Sequence, residues 1–412
     1  MLFGGSVVNY MDRAVLGVVM PQIRRDLALT NQEYGWVVNA FLMAYMLSYI
    51  LGGRLADRLG CRRMVTLTVV FWSLAGMAHA LVRGLGSLSL ARAALGLGEA
   101  GFYPAAMRGV SGWFPPKDRA KAVGLFLSAL SVGTLLTAPL VASITGRYGW
   151  RASFLVTGSV GFLLLPPWLL LHRRIHAAYG TPDPDPASQA GGTDPGGAAT
   201  PLAYVLSTRK YWCALAARGC TDSAWYFYLF WLPGYFQEVR GLSLAAVGRL
   251  LWIPYLTAGI GALAGAWASS ELIHRGHSLD RGRKIILAPS AALAAMGAAA
   301  YFVPGHALAV AVVAAALFGH QSWSSNIHTA ISEISPPAHV AVLYGITGAA
   351  GTLLGALAQL VIGPIVDAHG YQSVFIGAGL MYVLAICLLF AAGTIEPITA
   401  KRAAGITTPR QQ

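Results

Sequence analysis

The chain alternates long apolar runs with short polar connections along almost its whole length. Each run is long enough to form a helix that crosses a bilayer, which takes about 20 apolar residues. The twelve runs, numbered here as spans 1 to 12, lie near residues 1–23, 34–55, 64–82, 85–108, 120–146, 152–172, 210–237, 245–270, 284–304, 306–334, 338–366 and 372–393. The pattern predicts an all-α membrane protein with twelve transmembrane helices.

Composition supports lipid as the solvent for most of the chain. Of 412 residues, 56% are hydrophobic and 11% are charged, and the mean hydropathy is +0.58. A soluble domain typically devotes about a quarter of its residues to Asp, Glu, Lys and Arg, so this chain has too few charges to cover a water-facing surface. Intrinsic disorder is excluded as well, because it requires low hydrophobicity.

The formal net charge of +13 raises the question of nucleic-acid binding, and the positions of the basic residues answer it. With the N-terminus placed inside, 19 of the 29 Lys and Arg residues fall in the inner connections and the tail. Seven fall in the outer connections and three lie within spans. This bias follows the positive-inside rule. It predicts a multi-pass protein of the cell (inner) membrane, with both termini in the cytoplasm and no nucleic-acid partner.

The two halves of the chain repeat each other at an offset of 221 residues. Pro115 matches Pro336, and Gly149 matches Gly370. The segment between the halves is rich in Pro, Gly, Ala and Thr, which is typical of a flexible linker. The predicted units are an N-terminal six-helix bundle over 1–172, a cytoplasmic linker over 173–208, a C-terminal six-helix bundle over 209–396 and a cytoplasmic tail over 397–412. A parallel repeat of this kind predicts a substrate site at the midplane between the halves.

The connection after span 2 carries the most specific short motif. Residues 53–63 read Gly-Arg-Leu-Ala-Asp-Arg-Leu-Gly-Cys-Arg-Arg. This loop closely resembles the cytoplasmic signature loop of the major facilitator superfamily, and the rest of the chain is similar to that family along its whole length. The resemblance implies a twelve-helix transporter in which this loop latches the outward-facing state. The residues expected to do so are Gly53, Asp57, Arg58, Gly60, Arg62 and Arg63.

Two pairs of charged residues lie inside the N-terminal spans. Asp12 lies about 16 Å up span 1, near mid-bilayer, where a charge costs roughly 2.5–3.5 kcal/mol. Arg13 faces about 100° away from it, so one of the two can face the cavity while the other meets a neighbouring helix. Arg92 and Glu99 share one face of span 4. Asp12 and Arg13 are either a structural pair that neutralises itself or part of a site, and Arg92 and Glu99 are either members of an interhelical ion-pair staple or part of a site. The interpretation as a site is open because Arg binds carboxylates and a buried carboxyl can carry a proton.

The surroundings of these charges, residues 9–13 and 92–101, resemble the anion:cation symporter branch of the superfamily. The resemblance implies that Arg13 contacts the substrate carboxylate, that Asp12 and Glu99 titrate, and that Arg92 gates Glu99. Tyr45 matches a family tyrosine that hydrogen-bonds substrate. Protons are favoured over Na⁺ as the coupling ion, because the neighbouring arginines would repel a cation.

Spans 7 and 10 resemble those of hexuronate transporters over residues 221–233 and 319–326. Aromatic faces with amide and imidazole groups suit a polyhydroxylated acid, because hydroxyls that leave water must be bonded again. The substrate-binding residues implied here are Asp222, Trp225, Tyr226, His320, Gln321 and Asn326. Three alternatives remain open. The aromatic run can serve only packing, His320 can be a satisfied buried imidazole, and Asp222 can form a local ion pair with Arg218.

The chain departs from the hexuronate pattern at positions expected to line the cavity. Phe102 and Leu127 stand where those relatives have Asn, and residues 257–260 lack their aspartate. Each change removes a polar side chain that would bond a substrate hydroxyl. A less hydroxylated acid, such as an aromatic or small organic carboxylate, is therefore the alternative cargo.

A membrane enzyme or sensor is the competing class, and the sequence disfavours it. There is no HExxH motif, no long phosphate-binding loop and no appended signalling domain, and the four cysteines lack metal-type spacing. We expect no cofactor and no metal, and a functional monomer whose partners are a small organic anion, protons and the bilayer. The best-supported function is proton-coupled symport of a hexuronate or related sugar acid by alternating access.

Overall fold

The computed structural model describes the backbone of residues 1–113, 116–179, 200–336 and 339–399. Within these ranges, side chains are described except at residues 49–50, 53–54, 57, 111–112, 116–124, 127, 173, 175–179 and 341. Much of the predicted linker and tail therefore lies outside the described residues.

Twelve helical spans follow one another in the predicted order, and the all-α, twelve-helix fold class is confirmed. Their bounds are α1 Leu2–Leu27; α2 and α3, the two arms of the run Asn31–Ala78; α4 Leu85–Ala100 continued by Phe102–Trp113; α5 Pro116–Tyr148; α6 Trp150–Tyr179; α7 Arg209–Phe230 continued by Leu232–Glu238; α8 Leu244–Leu250 continued by Trp252–His274; α9 Leu279–Ala295 continued by the 3₁₀ turn Met296–Tyr301; α10 His306–Ile334; α11 Val340–His369; and α12 Tyr371–Ala391.

Eight of the described helices are long and apolar enough to cross a membrane, and they correspond to α3, α5, α6 and α8 to α12. The central helices α1, α4 and α7 are not among them. Helix α4 is interrupted at Gly101, and α1 and α7 carry charged residues near their middles. These three helices carry the charged candidates Asp12 and Arg13, Arg92 and Glu99, and Arg218 and Asp222.

Local sequence accounts for where the helices begin and turn. Thr30 accepts a hydrogen bond from the backbone of Glu33, whose side chain bonds back to the Thr30 N–H, so a capping box starts α2. Gly60 separates α2 from α3 with a φ of 73°. Gly149 and Gly370, which match at the 221-residue offset, end α5 and α11 with φ values of 80° and 70°. Glycine suits these left-handed positions because it lacks a Cβ.

The two halves meet backbone to backbone at one end of the bundle, here called the closed end. A Cβ added to Gly35 of α2 would lie 2.5 Å from the Gln359 carbonyl oxygen, and one on Gly363 would lie 2.5 Å from that of Asn31. Gly17 of α1 likewise abuts the backbone of Leu229 in α7. The small residues let the helices approach closely, as in other membrane helix pairs.

Polar bonds between the halves reinforce the closed end. Asp367 of α11 accepts from the Asn31 amide at 2.6 Å and from the Gln32 backbone N–H at 3.0 Å. It thereby caps the first turn of α2. Arg24 of α1 pairs with Glu238 after α7 at 3.0 Å. These groups are partly exposed, so the contacts can break without leaving a charge stranded in lipid.

Removing the Asp367 carboxylate should open the closed end. Asp367→Ala deletes two bonds to α2, one of them to an orphan helix-terminal N–H. Hydrogen bonds to a charged group contribute about 1.5 kcal/mol at the low end of their range, so we expect a roughly tenfold shift toward the conformation in which this end is separated. Distances between spin labels at Arg25 and Val239, both exposed at this end, would measure it.

Asp280→Ala is the matched control. Asp280 is also a partly exposed carboxylate, but it bonds Lys284 and the Ile395 N–H within the C-terminal half. It should leave the label distances unchanged. Equal distance distributions in both variants and the parent would show that Asp367 does not hold the halves together.

Candidate substrate and proton sites

A buried ion pair joins α1 to α4 in the N-terminal half. Arg13 donates to Glu99 Oε2 from Nε at 3.1 Å and from Nη2 at 2.9 Å, and Nη2 also donates to Asn9 Oδ1 at 3.3 Å. The side chains are 6% and 0% exposed. Two charges removed from water need several hydrogen bonds between them to offset their desolvation. Oε2 of Glu99 accepts two such bonds, whereas its Oε1 is buried with no partner among the described residues.

Close packing of α2 on α4 brings the other members of the site to Arg13. A Cβ on Gly96 of α4 would collide with the Phe41 carbonyl oxygen and lie 3.0 Å from the Tyr45 N–H nitrogen. The Arg13 guanidinium consequently lies 4.6 Å from the Tyr45 ring centroid, 5.3 Å from that of Phe41 and 5.0 Å from that of Tyr10. Aromatic faces attract a cation at these distances.

Asp12 points away from Arg13 and into the N-terminal half. It is 2% exposed, and neither carboxylate oxygen has a hydrogen-bond partner. Thr157 of α6 is the adjacent polar side chain, and Glu99 and Arg92 lie within electrostatic range. The alternative of a self-neutralising Asp12–Arg13 pair is not formed, because the two side chains leave the helix in different directions.

Arg92 is fully buried, and none of its three guanidinium nitrogens has a hydrogen-bond partner. It lies 5.9 Å from the ring centroids of Phe41 and Phe154. Glu99 bonds Arg13 of α1, which is the interhelical ion pair that the sequence left as the alternative for this face of α4, and the gating role of Arg92 stays a prediction. Arg92 remains within electrostatic range of Glu99 and Asp12, so the N-terminal half holds two arginines beside two carboxylates.

A looser pair lies on α7 in the C-terminal half. Arg218 Nε donates to Asp222 Oδ2 at 3.3 Å, and the side chains are 12% and 21% exposed. This is the local i,i+4 pair that the sequence left as an alternative for Asp222. One turn further on, Tyr226 lies within electrostatic range of both Asp222 and Arg13. Tyr226 therefore stands between the charged pairs of the two halves.

The remaining predicted residues of the C-terminal half pack inside it. His320 stacks on Trp225, with ring centroids 5.0 Å apart, and its Nδ1 meets the Tyr382 hydroxyl at 2.5 Å. Asn326 accepts from Arg283 at 3.3 Å and donates to the Ser322 carbonyl at 2.9 Å. Gln321 is buried on the same helix. In this conformation the hydrogen bonds of His320 and Asn326 go to other residues of the C-terminal half, as expected for structural residues and not for ligand-binding groups.

Phe102 also differs from its expected place along the cavity. Its ring packs edge-on to Trp72, with centroids 5.2 Å apart, and lies 6.0 Å from Phe126, inside the N-terminal half. Gly5 of α1 is directly beneath it. The expectation that Phe102 thins the polar lining of the cavity stays a prediction. The side chain of Leu127 lies outside the described residues.

The signature loop is described in part. Gly60 forms the turn between α2 and α3, Arg58 and Arg63 are exposed, and Arg62 is half-buried. Gly53 is described in its backbone alone, and the side chain of Asp57 lies outside the described residues. The latch role of this loop stays a prediction.

The sequence missed three residues that surround Arg13, namely Asn9, Tyr10 and Phe41. Asn9 and Tyr10 lie four and three positions before Arg13, so helical spacing alone places them on its face. Phe41 precedes Tyr45 by four positions and could have been found in the same way once Tyr45 was singled out.

Comparison with known proteins agrees with this architecture. A family model described as the Major Facilitator Superfamily matches residues 2–358. A D-galactonate transporter of Escherichia coli O6:H1 is 28% identical over 403 residues, which are 95% of this chain and 92% of the relative. A probable galactarate/D-glucarate transporter of Escherichia coli K12 is 30% identical over 419 residues, covering 96% and 94%. A hexuronate transporter of the same strain is 26% identical over 378 residues, covering 90% and 87%.

The fold matches as well. The crystal structure of a bacterial homologue of the human lysosomal transporter Spinster, inward-facing and unoccupied, aligns with a TM-score of 0.73 at 20% identity, covering 95% of this chain and 94% of that one. The family predicted from the signature loop is confirmed, and the curated relatives are sugar-acid transporters and not enzymes. The chain is an integral membrane transporter of the major facilitator superfamily.

Proposed function

We propose that this protein carries a sugar acid across the bacterial inner membrane by proton-coupled symport. The observation that carries the proposal is the Arg13 guanidinium, which lies among three aromatic rings and whose ion-pair partner among the described residues is Glu99. A planar guanidinium binds a carboxylate in a bidentate manner and keeps its charge at any working pH. Aromatic faces beside it suit the carbon chain or ring of the cargo. The transporters of galactonate, galactarate and hexuronates among the relatives support the same cargo class.

Orientation decides which face the cargo space opens to. The positive-inside bias puts both termini in the cytoplasm, so the closed end faces the periplasm. Since the halves are bonded through Asp367, Arg24 and the glycine contacts at that end, the proposed state is inward-facing. Alternating access then requires these bonds to break while contacts form at the cytoplasmic end.

Coupling follows from competition for one guanidinium. Glu99 already forms the ion pair with Arg13, so a substrate carboxylate can bind Arg13 only when Glu99 is neutral. A proton on Glu99 does this and leaves Arg13 free for the cargo. Asp12 lies within electrostatic range of Glu99, and Thr157 is its neighbouring polar side chain. Because neighbouring carboxylates repel when both are ionised, the two can pass one proton between them.

Uptake into proteoliposomes tests the function directly. The panel contains galactonate, galactarate, glucuronate and an aromatic carboxylate, each with and without an inward proton gradient. Gradient-driven accumulation of the sugar acids supports the proposal. Accumulation of the aromatic acid alone would favour the less hydroxylated cargo, and accumulation driven by Na⁺ but not by protons would reject the coupling ion.

Arg13→Lys should weaken binding strongly although it keeps the positive charge. Lysine lacks the planar fork that reaches one carboxylate through two N–H groups. Hydrogen bonds to charged groups are worth about 1.5–3 kcal/mol, which is roughly 10- to 150-fold in affinity. Equilibrium binding of the transported acid measures the loss. Arg275→Lys, at an exposed pair with Glu271, is the control and should bind as the parent does. Parental affinity in Arg13→Lys would remove Arg13 from the site.

Glu99→Gln and Asp12→Asn should abolish accumulation against a gradient and leave substrate exchange measurable. Each amide keeps the shape of the carboxyl group but cannot take up and release a proton. Concentrative uptake and counterflow, measured on the same proteoliposomes, separate the two activities. Glu271→Gln, on the surface, should accumulate normally. Full accumulation by Glu99→Gln would exclude Glu99 from coupling.

A further inference from the structure

Arg218, in the C-terminal half, is a second arginine with a buried N–H group that no described residue accepts from. Arg218 gives Nε to Asp222 in one long bond of 3.3 Å, and its Nη1 is buried without a hydrogen-bond partner. A guanidinium carries five N–H donors, and a buried donor left unpaired costs free energy. None of the described residues supplies an acceptor for this N–H group.

Arg218 differs in this respect from the other buried or half-buried arginines of its half. Arg240 bonds the backbone carbonyls of Ala300, Tyr301 and Val303. Arg283 bonds Glu333 at 2.7 Å and Ser269 at 2.6 Å. Both are fully engaged in holding helices together. Arg92, whose nitrogens are also unbonded, lies inside the N-terminal half with two carboxylates of its own within electrostatic range.

A second unsatisfied polar group lies beside Arg218. His328 of α10 is within electrostatic range of it, and the buried Nε2 of this imidazole has no partner. Its Nδ1 makes one weak contact of 3.4 Å with the Ser324 hydroxyl. The Tyr344 ring of α11 closes the other side, with its centroid 5.5 Å from the guanidinium. Both unpaired groups can donate to a carboxylate, Arg218 through its Nη1–H and His328 through an Nε2–H.

Arg218 and Arg13 lie in different halves and have tyrosine neighbours in common. Tyr226 is within electrostatic range of Arg13 and of Asp222, the partner of Arg218. Tyr10, whose ring centroid is 5.0 Å from the Arg13 guanidinium, is within electrostatic range of Tyr344, whose ring lies beside Arg218. Tyrosines of both halves thus connect the surroundings of the two guanidinium groups.

We propose that Arg218 and His328 form a second carboxylate subsite, and that the cargo is a sugar acid with a carboxylate at each end, held by Arg13 in one half and by Arg218 in the other. This inference rests on the proposed function and narrows its substrate class. A monocarboxylate would satisfy Arg13 and leave the second subsite unpaired. A dicarboxylate bridges the halves, so that its binding draws together the two bodies that alternating access moves.

Galactarate and galactonate are the matched probes, because they differ only at the terminal carbon, which is a carboxylate in the first and a hydroxymethyl group in the second. Equilibrium binding of both to the purified full-length protein should favour galactarate by at least tenfold. In Arg218→Gln the ratio of the two affinities should fall to within twofold of one, whatever change the two acids share. His328→Phe should reduce the same ratio in part.

Two further variants keep the result interpretable. The double variant Arg218→Gln/Asp222→Asn removes both charges together. It therefore leaves no unpaired carboxylate and can replace the single variant if that one is unstable. The affinity ratio of the double variant should also approach one. Arg275→Gln, at an exposed pair, should keep the parental ratio. A parent that binds galactonate as well as galactarate, or an Arg218 variant that keeps the tenfold preference, overturns the second subsite alone. Failure to bind or take up any sugar acid overturns the proposed function, and the subsite with it.

Discussion

The buried pair of Arg13 and Glu99 is the interaction on which the rest of the site depends. A charge inside a bundle surrounded by lipid must find its partner within the protein, and here Nε and Nη2 of Arg13 in α1 both donate to Oε2 of Glu99 in α4. The close approach of α2 at Gly96 then brings Tyr45 and Phe41 onto the guanidinium. The acceptor of Arg13 is itself a group that can be protonated, and the proposed proton coupling therefore rests on the same contact that holds the helices together.

The ion pairs of the two halves differ in length and in exposure to solvent. In the N-terminal half the Arg13–Glu99 contact is dry and short, whereas in the C-terminal half the Arg218–Asp222 contact is longer and partly exposed. The closed end is different again. It is made of glycine contacts and exposed polar caps such as Asp367, which water can satisfy when they separate. A transporter must open at one end and then at the other. The hydrogen bonds that break in this movement are expected to be exposed, where water can replace them, and the charges that are expensive to desolvate are expected to stay paired in the interior.

Residues on one helix were the easiest part of the site to predict. The 100° step between Asp12 and Arg13 is a property of the helix and implies that they face different neighbours, as they do. The i,i+4 spacing of Arg218 and Asp222 likewise offered the local ion pair that is observed. Contacts that depend on neighbouring helices were harder to predict. Arg92 shares a face with Glu99, yet Glu99 bonds Arg13 of α1, and Phe102, expected along the cavity, packs against Trp72 of α3.

The sequence by itself determined the twelve spans, the internal repeat and the family. In lipid the backbone must satisfy its hydrogen bonds within each helix, so the apolar runs alone specify the elements, and the glycines at 149 and 370 mark equivalent turns in the two halves. Only the tertiary structure decided which charges pair, which polar groups stay unpaired, and which end is closed. These outcomes depend on contacts between residues more than 80 or 300 positions apart, such as Arg13 with Glu99 and Asn31 with Asp367. Periodicity along a single helix carries no information about which partner helix lies beside it.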